Sequence, residues 1–236
     1  MTSDKGIPER LATAGRDLSG EQREQLAAIL RMIAADEHAP TAIRAPEQAA
    51  DSHVADSLVA LELDSVGTAE RIADLGSGAG FPGLALAVAL PAAEVSLIES
   101  QRRRCEFLER VRVHAAIGNA RVVRSRAEEW SEGLSRNDAV MARALAAQPV
   151  VLEYAAPLLR LGGTLVDWRG KRREAEEEAS LAAAHELGLE RVEIRSVQPF
   201  EGATDRHLHV YRKVSETPER FPRRPGVARK RPLGFT

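Results

Sequence analysis

Cysteine is almost missing from this chain. Cys105 stands alone among 236 residues, so no internal disulfide can form and no cysteine-based metal cluster can be built. Long apolar runs are missing too; none approaches the span of a membrane helix. The stretch from Met1 to Arg16 is polar and has no apolar centre of the kind a secretory signal carries. These absences point to a reducing, cytoplasmic setting and no membrane partner. Internal repeats are absent. A formal charge of −2 gives no overall basic excess.

What is present suits one globular domain with small additions: 44% hydrophobic and 29% charged residues. The charge is unevenly placed. From Thr217 to Thr236 there are six basic residues (Arg220, Arg223, Arg224, Arg229, Lys230, Arg231) and one acid, Glu219. That tail carries +5, which leaves −7 for the rest. The reading is a helical cap over 1–66, a main domain over 67–216 and a basic tail over 217–236.

Leu26, Ile29, Leu30 and Ile33 recur at helical spacing, and Ser19 with Gln22 forms a capping-box pattern. A second helix is predicted from near Pro46, with Val54, Leu58 and Leu61 on one face. From Arg71 the pattern changes. Strands are predicted at Ile72–Leu75, Glu94–Glu99, Ala120–Arg124, Asp138–Ala142 and Gly163–Trp168. Helices are predicted between them near Pro82–Leu90, Gln101–Ile117 and Pro149–Leu159, with a short turn at Ala127–Trp130 and a charged helix at Lys171–Leu187. This alternation implies an α/β fold with a mostly parallel sheet and helices on both faces. Leu189–Val197 and Arg206–Val214 follow without a helix between them, so they read as a terminal antiparallel hairpin, for seven strands in all.

The run Asp74-Leu-Gly-Ser-Gly-Ala-Gly-Phe-Pro-Gly83 lies between the first strand and its helix. A glycine-rich turn there lets backbone approach a nucleotide-like ligand closely, in front of a helix N-terminus. The dinucleotide spacing requires a third glycine at position 81, where the chain has Phe81. An acid followed by alternate glycines fits instead: Asp74, Gly76, Gly78 and Gly80. That is the S-adenosylmethionine pattern of Rossmann-like enzymes. Glu99 ends the second strand, where a carboxylate can accept both ribose hydroxyls. Arg143 follows the apolar Ala139–Ala142 at the edge of the fourth strand, where a guanidinium can hold a phosphate, a guanine O6 or the cofactor carboxylate.

The segment from Asp74 through Phe81-Pro82-Gly83 resembles the RsmG family, also called glucose-inhibited division protein B. Further matches run in order: Thr41–Arg44, His53–Leu58, Arg126–Glu129, Ala142–Ala144, Arg206–Leu208 and the tail from Thr217 to Gly226. The resemblance covers roughly residues 20 to 232. The chain departs from the family at Ala39-Pro40 and at Arg169, where the family often has lysine.

The resemblance implies a Rossmann-like class I methyltransferase that transfers a methyl group from S-adenosyl-L-methionine to N7 of guanine 527 in 16S ribosomal RNA. Its partner would be that RNA or the 30S subunit, and a monomer without metal is expected. The cofactor would be bound by Asp74, Gly76, Gly78, Phe81, Glu99, Ala127, Glu128 and Arg143, with Arg143 also the catalytic candidate. Gly76 would face the methionine part, Asp74 its ammonium, and Ala127 with Glu128 the adenine. Guanine N7 carries a free lone pair, so no general base is needed. Accordingly, the chain has no Asn-Pro-Pro-Tyr motif and no Pro-Cys nucleophile.

Arg102 to Arg104, Arg110, Arg112 and the tail would form the RNA-facing surface. Aromatics are only 4%, which leaves Trp168 as the candidate for stacking on a target base. His53, Asp56 and Ser57 form an i, i+3, i+4 group that on spacing alone is a packed or hydrogen-bonded surface; the resemblance implies that it belongs to the cap over the cofactor cleft, and it is assigned no chemistry. Three other functions remain open: a small-molecule methyltransferase, a non-enzymatic nucleotide sensor or regulator, and a nicotinamide oxidoreductase, which Phe81 argues against.

Overall fold

The structure is a computed structural model that describes residues 18–235. The polar stretch Met1–Arg16, read for a targeting signal, lies outside them.

Helix α1 (Gly20–Ala35) begins at a full capping box, with Ser19 and Gln22 bonding each other's backbone. Leu26, Ile29, Leu30 and Ile33 have no exposed surface. Each such burial contributes roughly 1.5–3 kcal/mol, which outweighs the helix's modest intrinsic preference. The helix predicted from Pro46 is not uniform. Pro46–Ala49 leads into a π-helical stretch, Ala50–Ala55, and then Asp56–Leu58; together these are α2 (46–58). Leu61 lies beyond it in a 3-10 turn, Val59–Glu62, and a short α3 (Asp64–Gly67) follows. Val54, Leu58 and Leu61 are all buried.

The main domain follows as β1 (Arg71–Leu75), α4 (Gly83–Ala89), β2 (Glu94–Glu99), α5 (Arg102–His114), β3 (Ala120–Arg124), β4 (Asn137–Arg143) and α6 (Gln148–Ala155). Then come β5 (Leu159–Arg169), α7 (Glu174–Leu187), β6 (Leu189–Ser196), β7 (His207–Lys213) and a short α8 (Val227–Lys230). The seven strands lie in the order β3-β2-β1-β4-β5-β7-β6. β1 through β5 are parallel, and β7 inserts antiparallel between β5 and β6. β5 starts earlier than predicted: Pro157 lies in a turn after α6, and Gly162 bends the strand at φ +80°.

Alternation along the strands splits the core into two layers. Ile72, Val95, Leu97, Ala139, Met141 and Val166 face one layer, shared with α1, α2 and α4. Ala73, Leu75, Ile98, Val140, Ala142 and Leu165 face the other, shared with α6, α7, Phe221 and Ala228. The chain order reverses between β1 and β4, so their C-terminal ends open a crevice where class-wide ligands sit. Among the described residues no helix is long and apolar enough to cross a membrane.

Candidate functional site

The glycine loop leaves β1 at Asp74 and crosses the end of β2. The amides of Gly76 and Ser77 donate to the Ile98 carbonyl at 2.8 and 3.1 Å. The Gly78 amide donates to Glu99 Oε2 at 3.3 Å, and Gly80 to the Ser77 carbonyl at 2.6 Å. These amides are engaged within the chain, so glycine offers the ligand a bare backbone surface rather than free donors. At Gly76 the backbone is left-handed (φ +71°), and a Cβ would lie 2.7 Å from Leu145 Cδ1. A side chain there is both strained and obstructed.

Asp74 is 1% exposed. Its Oδ2 accepts from the Gly83 amide at 3.1 Å, so the first amide of α4 is bonded by this carboxylate. A Cβ on Gly83 would stand 2.7 Å from that same oxygen. Burial pushes the Asp74 carboxyl up to about 6, against the hydrogen bonds from Ser77 and Gly83. Asp74 therefore sits under the loop and holds it. The Phe81-Pro82-Gly83 extension belongs to the same device, since only a residue without Cβ lets Asp74 reach the backbone.

Glu99 is also buried. Its Oε1 accepts from the Gln101 amide at 2.8 Å, and Arg104 Nη1 stands 3.7 Å from Oε2. Glu99 faces a cavity of about 220 Å³ together with Gly76, Ser125, Ala127, Glu128, Leu145, Tyr154 and Arg229. Thus four of the sequence-identified positions (Gly76, Glu99, Ala127, Glu128) line one space at the ends of β1, β2 and β3. Glu128 Oε1 also accepts from the Gly226 amide at 3.2 Å.

Arg143 and Phe81 lie on the other side of the crevice. Arg143 Nη1 donates to Asp56 Oδ2 at 2.9 Å and to the Ser52 carbonyl at 3.3 Å. Its guanidinium carbon is 5.9 Å from the Phe81 ring centre, and the His53 ring stacks on Phe81 at 4.9 Å. His53 Nε2 pairs with Thr41 Oγ1 at 2.9 Å. Burial, aided by the Arg143 charge, pulls the imidazole down to about 4, so it is neutral at pH 7. Thus α2, whose His53-Asp56-Ser57 group was assigned no chemistry, supplies a stacking ring and a carboxylate to the site. The π-helical stretch that aims them has no signature in the sequence beyond this spacing.

Arg143 opens onto a second cavity, of about 390 Å³, lined by Asp56, Trp168, Arg169, Lys171, Arg206 and His209 among others. Of the four buried side-chain atoms that lack a hydrogen-bond partner among the described residues, two belong to this cavity's lining, Asp56 Oδ1 and His209 Nε2. Arg206 Nε stands 3.7 Å from that Asp56 oxygen. Trp168 is 8% exposed and donates through Nε1 to the Asp56 carbonyl at 2.8 Å. Its indole thus holds α2 against the sheet. Arg169, in place of the family lysine, donates to the Ala146 carbonyl at 2.8 Å and pairs with Glu176. Asp167, beside it, is pushed up to about 7 by burial.

The two cavities share Ala144, whose φ of +53° is unusual for a residue with a side chain. This turn sends Arg143 into one cavity and Leu145 into the other. Among the described residues no group of three or more His, Cys, Asp or Glu side chains is arranged for a metal. Cys105 is buried, its thiol raised chiefly by burial and bonded to the Glu99 carbonyl at 3.2 Å.

The GidB family model, described as rRNA small subunit methyltransferase G, matches residues 22–209. A ribosomal RNA small subunit methyltransferase G from Syntrophomonas wolfei is 41% identical over 186 residues, 78% of this chain and 86% of that one. One from Desulfitobacterium hafniense is 35% identical, over 96% of this chain and 99% of that one. Among solved structures, a predicted O-methyltransferase from Agrobacterium tumefaciens is 26% identical, with a TM-score of 0.52 over 70% of this chain and 81% of that one. The methyltransferase SibL, in its apo form, is 14% identical and shares the fold, with a TM-score of 0.57 over 90% of this chain and 70% of that one.

Proposed function

The chain belongs to the rRNA small subunit methyltransferase G family, and from that premise we propose that it methylates N7 of guanine 527 in 16S ribosomal RNA, with S-adenosylmethionine as cofactor. The observation that carries the reading is the pair of cavities meeting at Ala144, one lined by Gly76 and Glu99 at the strand ends and one rich in cations. The glycine-lined wall at Gly76, which a Cβ would fill, fits the cofactor, as does the carboxylate of Glu99.

In this reading Glu99, Ala127 and Glu128 hold the cofactor's nucleoside half and Gly76 lets its methionine part approach the backbone, while Asp74, Gly78 and Phe81 keep the loop in shape, the Asp74 carboxylate being bonded to the Gly83 amide instead of facing the ammonium. When bound, S-adenosylmethionine supplies a methyl group on a positively charged sulfur. The guanine N7 lone pair needs no deprotonation, so the chain's task is placement and charge stabilisation. The larger cavity receives the base. Arg143, fixed by Asp56 and Ser52, points its remaining donors at O6 or the flanking phosphate. Asp56 Oδ1, which has no hydrogen-bond partner, accepts from the N1–H and amino edge of guanine. A carboxylate there also stabilises the positive charge that methylation places on the purine. Arg169, Lys171 and Arg206 at the rim meet phosphates.

In this reading the chain acts as a monomer and without metal. Light scattering and transfer in the presence of a chelator check both points. Nucleoside mass spectrometry of ribosomal RNA from a strain lacking the gene tests the activity. N7-methylguanine should disappear from 16S RNA there; its persistence contradicts the proposal.

A further inference from the structure

The C-terminal segment carries the charge of an RNA-binding arm, yet three of its cations, Arg220, Arg223 and Arg229, are engaged within the chain. Arg220 pairs with Glu186 at 3.0 Å. Phe221 is 7% exposed in the core layer below β4 and β5. Arg223 meets Glu153, which is 1% exposed: its own amide donates to Oε1 at 3.1 Å and its Nε to the same oxygen at 2.9 Å. Arg223 Nη2 donates back to the Arg231 carbonyl at 2.9 Å, so the segment is closed on itself.

Beyond that anchor the segment reaches the cofactor-type cavity on both sides. The Gly226 amide donates to Glu128 at the end of β3. Arg229 Nη2 donates to the Leu145 carbonyl just past β4, at 3.1 Å. Arg229 itself lines the cavity with Glu99, Ala127, Glu128 and Tyr154. The Tyr154 phenol is raised by burial and by Glu128, while Arg229 opposes the shift, which places the three groups together.

We propose that residues 217–235 form the outer wall of the adenosine end of the cofactor pocket, with Arg229 as its ligand-facing group. This rests on the reading that the 220 Å³ cavity holds S-adenosylmethionine. A guanidinium offers a planar cation to the purine face and N–H donors to its ring nitrogens. The segment ties the ends of β3 and β4, so a ligand touching Glu128 and Arg229 favours the docked segment. By linkage, the docked segment favours the ligand to the same degree.

The test uses the full chain and S-adenosylhomocysteine, the demethylated product, in calorimetry. Arg229→Ala should weaken its binding about tenfold, whereas Arg212→Ala at an exposed position of β7 should match the parent. Arg229→Lys should fall between them. An independent readout needs no variant: saturating S-adenosylhomocysteine should slow tryptic cleavage within 217–235 of the parent chain. If the parent binds S-adenosylhomocysteine but Arg229→Ala binds equally well and cleavage is not slowed, this inference is overturned and the proposed function is untouched. If the parent does not bind S-adenosylhomocysteine at all, both fall.

Discussion

Replacing Asp56 with asparagine separates charge from shape at the junction of cap and active edge. Asp56 is 5% exposed, its Oδ2 accepts from Arg143 Nη1 at 2.9 Å, and the two side chains are 7% and 17% exposed. Asparagine keeps the volume and one acceptor oxygen but removes the negative charge. Breaking a buried pair outright costs about 3–5 kcal/mol. The retained neutral hydrogen bond recovers about 1 kcal/mol, so the unfolding free energy should fall by about 2–4 kcal/mol in urea titrations. Catalysis should suffer more, because the carboxylate opposing the purine's developing charge is gone. By analogy with loss of one preorganised electrostatic group, kcat should drop about 10²–10³-fold. Asp56 lines the larger cavity and not the cofactor-type one. S-adenosylhomocysteine affinity should therefore stay within about threefold, as for distant sites. Steady-state methyl transfer to unmodified small subunits and calorimetry read the two quantities. Parent-like turnover, or a loss of S-adenosylhomocysteine affinity as large as the loss of turnover, refutes the reasoning.

Three further outcomes follow from the loop and the tail. In Gly83→Ala the new Cβ would meet Leu97 Cδ2 at 2.3 Å and Asp74 Oδ2 at 2.7 Å; overpacking should cost about 1–3 kcal/mol, and an unchanged denaturation midpoint contradicts this. Asp74 has its folded pKa raised from 3.8 to about 6 by burial. Its contribution to stability is thus fully present below pH 3.8 and lost as pH rises through about 6, which amounts to about 3 kcal/mol at neutral pH. Asp74→Asn should remove that slope, and a parent-minus-variant difference that is constant across the window speaks against it. Arg223→Met leaves Glu153 buried without its cation. It should destabilise by about 3–5 kcal/mol, whereas the exposed Arg224→Ala should stay within about 0.5 kcal/mol; equal effects would show that the tail is not anchored there.

Much of the fold was legible because its signals are local. Alternating strands, the capping box at Ser19 and the glycine loop are written within short windows, and the strand positions found match those read to within a few residues. The parallel sheet and terminal hairpin follow from the same windows. What stayed hidden depends on contacts between distant segments. The spacing of His53 and Asp56 suggested only an ordinary helix face, because nothing nearby announces Phe81 and Arg143 as their partners. The tail read as an RNA arm because charge can be counted from sequence, whereas the buried Glu153 and the half-buried Glu128 that anchor it lie 70 and 98 residues away. Trp168 read as a free stacking ring for the same reason; its indole N–H is bonded to Asp56, 112 residues earlier. Arg102, Arg104, Arg110 and Arg112 likewise find acids: Glu106, Glu99, Asp36 and Glu109.

In the proposed function, the two cavities meeting at Ala144 bring S-adenosylmethionine to guanine N7 of the small-subunit RNA. Transfer of a labelled methyl group to small subunits purified without this modification tests it most directly, with the product mapped by nucleoside mass spectrometry and fragment sequencing. One methyl per subunit is expected, on N7 of guanine 527, and none when the acceptor is a small molecule. Label on another atom or nucleotide, or no label at all, contradicts it.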